Sequence, residues 1–324
     1  MKAIVINGCC KADDLHVSNL PLPQVRPGWV LVKVHAAGLN HSEAILRQYE
    51  ADRPYINTPV VPGIECVGEV ADASDSDFER GQRVIALMGG MGRSFNGSYA
   101  EYALLPSRNV FSVDCNLDWL SLAAVPETYF TAYGSLLQGL HLSAGDTLLV
   151  RGATSTVGQA AIQLAKAMGA TVLATSRRTE AFGQLSAIGA DHCIADDGNI
   201  SSQRLPVRPN KVLELVGPKT LPDSLHVVTR PGYVCNTGIL GNQFTIPQFD
   251  PIKDIPCGTY LTGFYSNNPT KDIIDRLFSL IAAAHIQPLY SKVFTLDEIA
   301  EAHTWLDRGN AGGKIILNLD SHGN

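Results

Sequence analysis

The sequence predicts an α/β protein in which a doubly wound parallel sheet is inserted into a β-rich domain of barrel or sandwich type. Two observations carry that reading. The middle third alternates apolar strands with amphipathic helices, and the segments on either side of it return to short strands joined by Pro- and Gly-bearing connections. A third, the length of 324 residues, suits two domains rather than one.

In chain order, β-branched runs at residues 2–6 and 29–34 predict strands, with Pro21, Pro23 and Pro27-Gly28 breaking the chain between them. Further strands are expected at 67–70, 84–87 and 99–104, and residues 88–98, rich in Gly and Met, form a loop. Short strands at this spacing fit a small barrel or sandwich. From Asp146 the period changes. A strand runs through a small-residue turn into a helix, and Val157, Ala161, Leu164, Ala165 and Met168 share one face of it. Strands at 171–175, 192–195, 211–216 and 232–236 then alternate with helices near 179–187 and 220–228, the pattern of a parallel sheet covered on both faces. A crossover helix is due between Asp197 and Lys211, but Pro206, Pro209 and the lack of apolar periodicity argue against a full one. A helix at 272–284 follows. Thr295 with Glu298 forms a capping box ahead of another helix, and 314–319 reads as a closing strand. The expected division is a catalytic domain from 1–118 and 257–324, with a nucleotide-binding domain at 119–256 between them.

Composition bounds the function. Hydrophobic residues make up 45% and charged residues 17%, as in ordinary globular chains, and the net charge of −6 opposes a nucleic-acid partner. No apolar run reaches spanning length and no signal layout opens the chain, so a cytoplasmic protein without a membrane partner is expected. The seven cysteines are dispersed with no C-x-x-C pair, which a reducing compartment tolerates.

The main chemical signal is Leu148-Leu149-Val150-Arg151-Gly152-Ala153-Thr154-Ser155-Thr156-Val157-Gly158. A strand, a tight turn and a helix in that order aim unpaired N–H groups and the positive helix end at a pyrophosphate. Ser155 stands where the middle glycine of G-x-G-x-x-G is usual, and the surrounding βαβ unit supplies the context the motif needs. Gly152, Ala153, Thr154, Ser155, Thr156, Val157 and Gly158 are therefore cofactor-binding candidates. The next strand ends in Thr175-Ser176-Arg177-Arg178 and carries no acid before Glu180. An acid here would accept bonds from a ribose hydroxyl, whereas Ser176, Arg177 and Arg178 suit a 2′-phosphate; the cofactor expected is NADPH.

Ordered motifs along the chain identify a resemblance. Ala37-Gly38-Leu39-Asn40, Pro62-Gly63-Ile64-Glu65-Cys66-Val67-Gly68-Glu69-Val70 and Asn96-Gly97-Ser98-Tyr99-Ala100-Glu101-Tyr102 carry it in the first third. Pro126-Glu127-Thr128-Tyr129-Phe130-Thr131-Ala132-Tyr133, the nucleotide turn and Gly312-Gly313-Lys314-Ile315-Ile316-Leu317 continue it. Over essentially its whole length the sequence resembles the medium-chain dehydrogenase/reductase superfamily, and within it the quinone oxidoreductase branch. The resemblance implies a Rossmann domain inserted into a GroES-like β-barrel catalytic domain, and a homodimer.

The resemblance also implies which residues act. Where zinc enzymes of the superfamily carry Cys, His and Cys, this chain has Asn40, Ile64 and Glu127, and the four-cysteine structural lobe is missing, so no metal ligand set is expected. His41 matches a proton-relay position and is either a general acid or a packing histidine. Glu127 follows Pro126 at a helix start, where the dipole stabilises an acid with or without a catalytic part. Asn40 and Arg47 match the start of the substrate cleft. Ile45 replaces a tyrosine found there in some relatives, with Tyr49, Tyr55 and Tyr129 as substitutes. By the same resemblance Thr131, the run Thr237-Gly238-Ile239-Leu240, Phe264, Tyr265 and Lys314 contact the cofactor. The expected activity is hydride transfer from NADPH to a small-molecule quinone or α,β-unsaturated carbonyl, acceptors whose delocalised charge needs no Lewis acid. A non-catalytic NADPH-binding redox sensor and an enoyl-thioester reductase stay open as alternatives.

Overall fold

The computed structural model describes residues 1–309 and 312–320. The expected segment 257–324 therefore runs over residues 310–311 and 321–324, which lie outside the described residues. The chain divides into two units: Met1–Glu127 with Asn267–Ala282 and Gln287–Asn324, and Thr128–Ser266 with Ala283–Ile286.

The first unit is built on β-structure. A short antiparallel pair, β1 (Lys2–Ile4) and β2 (Val17–Asn19), stands apart from a seven-stranded sheet. That sheet contains β3 (Trp29–Leu39), β4 (Glu65–Asp72), β5 (Arg83–Leu87), β6 (Tyr102–Pro106) and β7 (Val110–Ser112). The strand expected at 2–6 stops at Ile4, and Ile6 instead makes an isolated bridge to Val60. The one expected at 29–34 runs on to Leu39 because β4, β6 and a late strand all pair along its length. Two short helices, α1 (His41–Ile45) between β3 and β4 and α2 (Trp119–Ala123) after β7, belong to this unit, and α3 (Pro126–Gly134) begins in it at the proline the sequence marked and continues in the second from Thr128.

The second unit is the predicted doubly wound sheet. It takes β8 (Thr147–Arg151), α4 (Thr156–Ala167), β9 (Thr171–Ser176), α5 (Phe182–Ala187), β10 (His192–Ala195), β11 (Lys211–Glu214), α6 (Leu221–Val227), β12 (Gly232–Asn236), α7 (Pro251–Asp254) and β13 (Thr259–Gly263). All pairs are parallel, in the order β10-β9-β8-β11-β12-β13. That order reverses direction at β8, placing a ligand-binding crevice beyond the carboxyl end of that strand. Leu148, Leu149 and Val150 of β8 are wholly buried, as a strand covered on both faces requires. The doubtful crossover between β10 and β11 holds one 3₁₀ turn, Ile200–Ser202, and no longer helix.

The sixth strand places the unit's edge at Ser266, compared with the 256 read from sequence. β13 is a partly exposed edge strand, so it has none of the buried apolar run that marks its neighbours. The chain then returns to the first unit through α8 (Lys271–Ala283), β14 (Tyr290–Thr295), α9 (Ile299–Arg308) and β15 (Lys314–Asn318). The Thr295–Glu298 capping box is formed, Glu298 accepting from the Thr295 N–H at 2.7 Å. β15 runs antiparallel to β3, setting Lys314 beside the segment that leads into α1.

Candidate functional site

Strand β8 delivers the chain to Gly152 at φ +83°, a conformation that favours glycine, and Ser155 then opens α4 as its N-cap. The Ser155 hydroxyl donates to the Gly152 carbonyl at 2.8 Å and accepts from the Gly158 N–H at 3.1 Å. A Cβ on Gly158 would stand 2.7 Å from the Gly152 carbonyl, so the helix packs directly on the turn. The serine in place of glycine is thus a cap that takes one orphan donor of the helix start. The N–H groups of Thr156 and Val157 belong to the same first turn and have no carbonyl within the helix. An extended pyrophosphate fits this end, and the residues that would hold it are Gly152 to Val157.

At the end of β9, the Ser176 hydroxyl donates to the Arg178 carbonyl at 2.9 Å and accepts from the Arg178 N–H at 3.0 Å. Ser176 is buried, and its hydroxyl folds the loop rather than standing open as a phosphate donor. Arg177 and Arg178 follow it exposed. On the far side of the crevice, residues 237–241 fold back on β11. Thr237 and Gly238 donate to the Glu214 carbonyl, Leu240 to that of Leu215 and Gly241 to that of Val216. A Cβ on Gly238 would lie 2.2 Å from the Leu215 carbonyl, so glycine is required for that approach. Leu240 reaches over Gly152, Ile239 is half-buried, and the Thr237 hydroxyl meets that of Ser135 at 2.9 Å. Ser135 in turn donates to the Thr131 carbonyl at 2.7 Å, tying the turn after α3 to the strand end.

Phe264 and Tyr265, which the boundary at 256 assigned to the catalytic domain, stand in the same unit as the nucleotide turn, because β13 joins that unit's sheet and leads directly into them. The Phe264 ring packs edge-on to Phe130 at 5.9 Å and against Gly134, and Tyr265 is exposed. Tyr129 is buried, and its hydroxyl bonds to Gln163 of α4 at 2.5 Å.

In the first unit a buried polar cluster surrounds Asn40. Its amide donates to Glu65 Oε1 at 2.9 Å and accepts from Lys314 Nζ at 2.5 Å. Lys314 also pairs with Glu65 Oε1 at 2.5 Å, and both side chains are fully enclosed. Lys314, expected at the cofactor, therefore has its ammonium within this cluster. A Cβ on Gly38 of β3 would lie 2.5 Å from both Glu65 Oε1 and Lys314 Cε, so glycine is what admits the pair. Glu65 Oε2 accepts the Glu127 N–H at 2.8 Å. Glu43, one turn into α1, accepts the Asn40 N–H at 2.8 Å and the Ile64 N–H at 3.0 Å. Burial pushes Glu43 up to about 7, against the Ile64 N–H and the Lys314 ammonium, which pull it down. Glu43 and Glu65 received no role from sequence; the Asn40-x-x-Glu43 capping-box spacing was the available signal.

Two other catalytic candidates are placed differently. Arg47 is buried, bonded to His303 Nδ1 at 3.3 Å, Asp307 at 2.5 Å and the Cys10 carbonyl at 3.0 Å, so its guanidinium is spent on joining α9 to the segment after α1. His41 is exposed at the first position of α1, and desolvation by surrounding protein lowers its pKa against the pull of Asp307.

Residues 26–114 match the Alcohol dehydrogenase GroES-like domain family, and residues 188–317 match the Zinc-binding dehydrogenase family. The quinone oxidoreductase of Homo sapiens is 28% identical over 321 residues, covering 93% of this chain and 92% of that protein. Among solved structures, the quinone oxidoreductase from Coxiella burnetii superposes with a TM-score of 0.83 at 25% identity, covering 98% of this chain and 99% of that one. The human synaptic vesicle membrane protein VAT-1 homolog-like protein does so with a TM-score of 0.83 at 25% identity, over 100% and 99%. Among the described residues, no helix is long and apolar enough to cross a membrane.

Proposed function

The chain belongs to the medium-chain dehydrogenase/reductase superfamily, and from that premise we propose that it is an NADPH-dependent, zinc-independent reductase of quinones or α,β-unsaturated carbonyls. Membership makes it an oxidoreductase with a nicotinamide cofactor and a small-molecule substrate. The observation that carries the finer reading is the pair of exposed arginines directly after β9, with no carboxylate between Ser176 and Glu180, beside a turn shaped for a pyrophosphate. Arg177 and Arg178 bind the 2′-phosphate, the first turn of α4 binds the pyrophosphate, and residues 237–240 orient the nicotinamide half. When bound, the dinucleotide supplies the hydride.

The acceptor class follows from the donors around Asn40. A catalytic zinc needs three ligand-grade side chains. Ile64 has none, and the Asn40 amide is held between Glu65 and Lys314, so these residues do not fit the metal that the second family's name carries. Without a Lewis acid, acceptors that delocalise the incoming charge are favoured. Desolvation disfavours the imidazolium form of His41, which opposes a general-acid role for it. The reading extends to a homodimer working in the cytoplasm.

The test is steady-state oxidation of NADPH and NADH with a panel of quinones, enones and a short enoyl thioester, beside oxidation of primary alcohols with NADP⁺. Hydrogen bonds to a charged group are worth about 1.5–3 kcal/mol, and exposure sets the lower end, so NADPH is preferred by about tenfold to a hundredfold in kcat/KM. Replacing Arg177 and Arg178 by alanine removes most of that preference and leaves NADH kinetics nearly unchanged. Alcohols turning over faster than every quinone and enone would refute the assignment. Binding of NADPH with no turnover would favour the sensor alternative.

A further inference from the structure

Arg151 ends β8, immediately before the nucleotide turn, and its guanidinium is fully buried. Such a charge persists only when its donors are matched. Nε and Nη2 each donate to one oxygen of Asp196 at 2.9 Å, a bidentate fork. Nη1 donates to Asp223 at 2.7 Å, to Ser224 Oγ at 3.1 Å and to the Thr220 carbonyl at 3.2 Å. Asp223 also accepts the Ile200 and Ser201 N–H groups and so fixes the 3₁₀ turn that stands where a crossover helix was due.

Asp196 is the informative partner. It follows β10 directly, and its N–H donates to the Ser176 carbonyl at 3.0 Å. Its carboxylate accepts the Thr175 hydroxyl at 3.1 Å. An acid therefore lies one hydrogen bond from the segment that carries Arg177 and Arg178. A free carboxylate beside that segment opposes a phosphorylated ribose by like-charge repulsion. Here both of its oxygens are turned into the fork, and the side chain is only 8% exposed.

We propose that Arg151 is a specificity-determining residue: by clamping Asp196 within the sheet it masks an acid beside the ribose-phosphate position, and the preference for a 2′-phosphorylated cofactor depends on that masking. The inference rests on the NADPH reading above and adds the charge behind the phosphate-binding arginines.

Equilibrium binding of adenosine 2′,5′-bisphosphate and of AMP reads the ribose phosphate alone, without nicotinamide or turnover. The unaltered protein favours the bisphosphate. Asp196→Asn leaves Arg151 paired with Asp223 and adds one net positive charge, so the bisphosphate-to-AMP affinity ratio rises about three- to tenfold at low salt. Arg151→Met leaves the acid unmasked, and the ratio falls about tenfold. The Arg151→Met/Asp196→Asn double variant removes the pair without changing net charge and returns the ratio near its starting value. That variant and Asp196→Asn keep the test decisive if Arg151→Met alone does not fold. Asp223→Asn, on the side away from Ser176, moves the ratio less than Asp196→Asn. A ratio unchanged in Asp196→Asn, or both ligands weakening equally in every folded variant, overturns the proposal and leaves Arg151 a structural ion pair. No preference in the unaltered protein overturns the cofactor reading itself, and this inference with it.

Discussion

Glu43 should make the stability of the first unit depend on pH in an unusual direction. Its carboxyl is buried beside Glu65, and burial raises its pKa from 4.5 to about 7. The folded form therefore binds this proton more tightly than the unfolded form does. Stability from this group is complete below pH 4.5 and is lost as pH rises to about 7. At about 1.4 kcal/mol per pH unit the loss amounts to about 3 kcal/mol. His303 works in the opposite sense. Burial lowers it from 6.5 to about 3, with Arg47 adding to the fall, so its contribution is complete above 6.5 and is lost as pH drops toward 3. Between 4.5 and 6.5 the two slopes oppose each other, and the unaltered protein shows little net change from this pair. The difference between the unaltered protein and Glu43→Gln isolates the carboxyl, because the amide cannot titrate and any hydrogen bond it loses costs the same at every pH. The three tryptophans, Trp29, Trp119 and Trp305, all lie in the first unit, so their fluorescence follows its unfolding in urea. The unaltered protein minus the variant should fall by about 3 kcal/mol from pH 4.5 to pH 8, the variant gaining relative stability at alkaline pH. A difference that stays flat across that range would refute the buried, proton-holding Glu43.

Two further contacts can be checked by unfolding. Arg47→Met leaves the Cys10 carbonyl without its guanidinium donor and Asp307 with the Gln48 amide but no counter-ion, and should cost about 2–4 kcal/mol, with Arg47→Lys recovering only part because one ammonium cannot reproduce the three-way contact; a neutral outcome would return Arg47 to the list of substrate-facing residues. Gly134→Ala sets a methyl 2.1 Å from the Phe264 ring, so thermal melting of the second unit should drop by the equivalent of about 1–3 kcal/mol, and an unchanged melting temperature would show that Phe264 does not pack against α3.

The relation of the site to the sequence differs between its parts. The nucleotide turn was legible because its chemistry is local: a strand, a glycine at positive φ and a capped helix follow one another in the chain, so spacing alone identifies them. The place of Arg177 and Arg178, exposed directly after β9, was legible for the same reason, since it depends only on where that strand ends. Ser176 was read as a donor and proved to be a loop-folding hydroxyl, since its partner is a backbone group that no residue type announces.

What the sequence determined by itself was the order of strands and helices and the inserted parallel sheet. Periodicity and residue type are properties of the chain, and these follow from them directly. What only the tertiary structure decided was the fate of buried charge. Arg47, Arg151 and Lys314 each lie far along the chain from at least one partner, at Asp307, Asp223 and Glu65. Nothing local fixes such pairs. A buried ion must find its counter-ion wherever the fold brings one, because leaving it unpaired costs several kcal/mol, about as much as a substantial part of a domain's whole stability. The same requirement that hid these residues from the sequence is what makes Arg151 informative once the strands that carry its partners are in place.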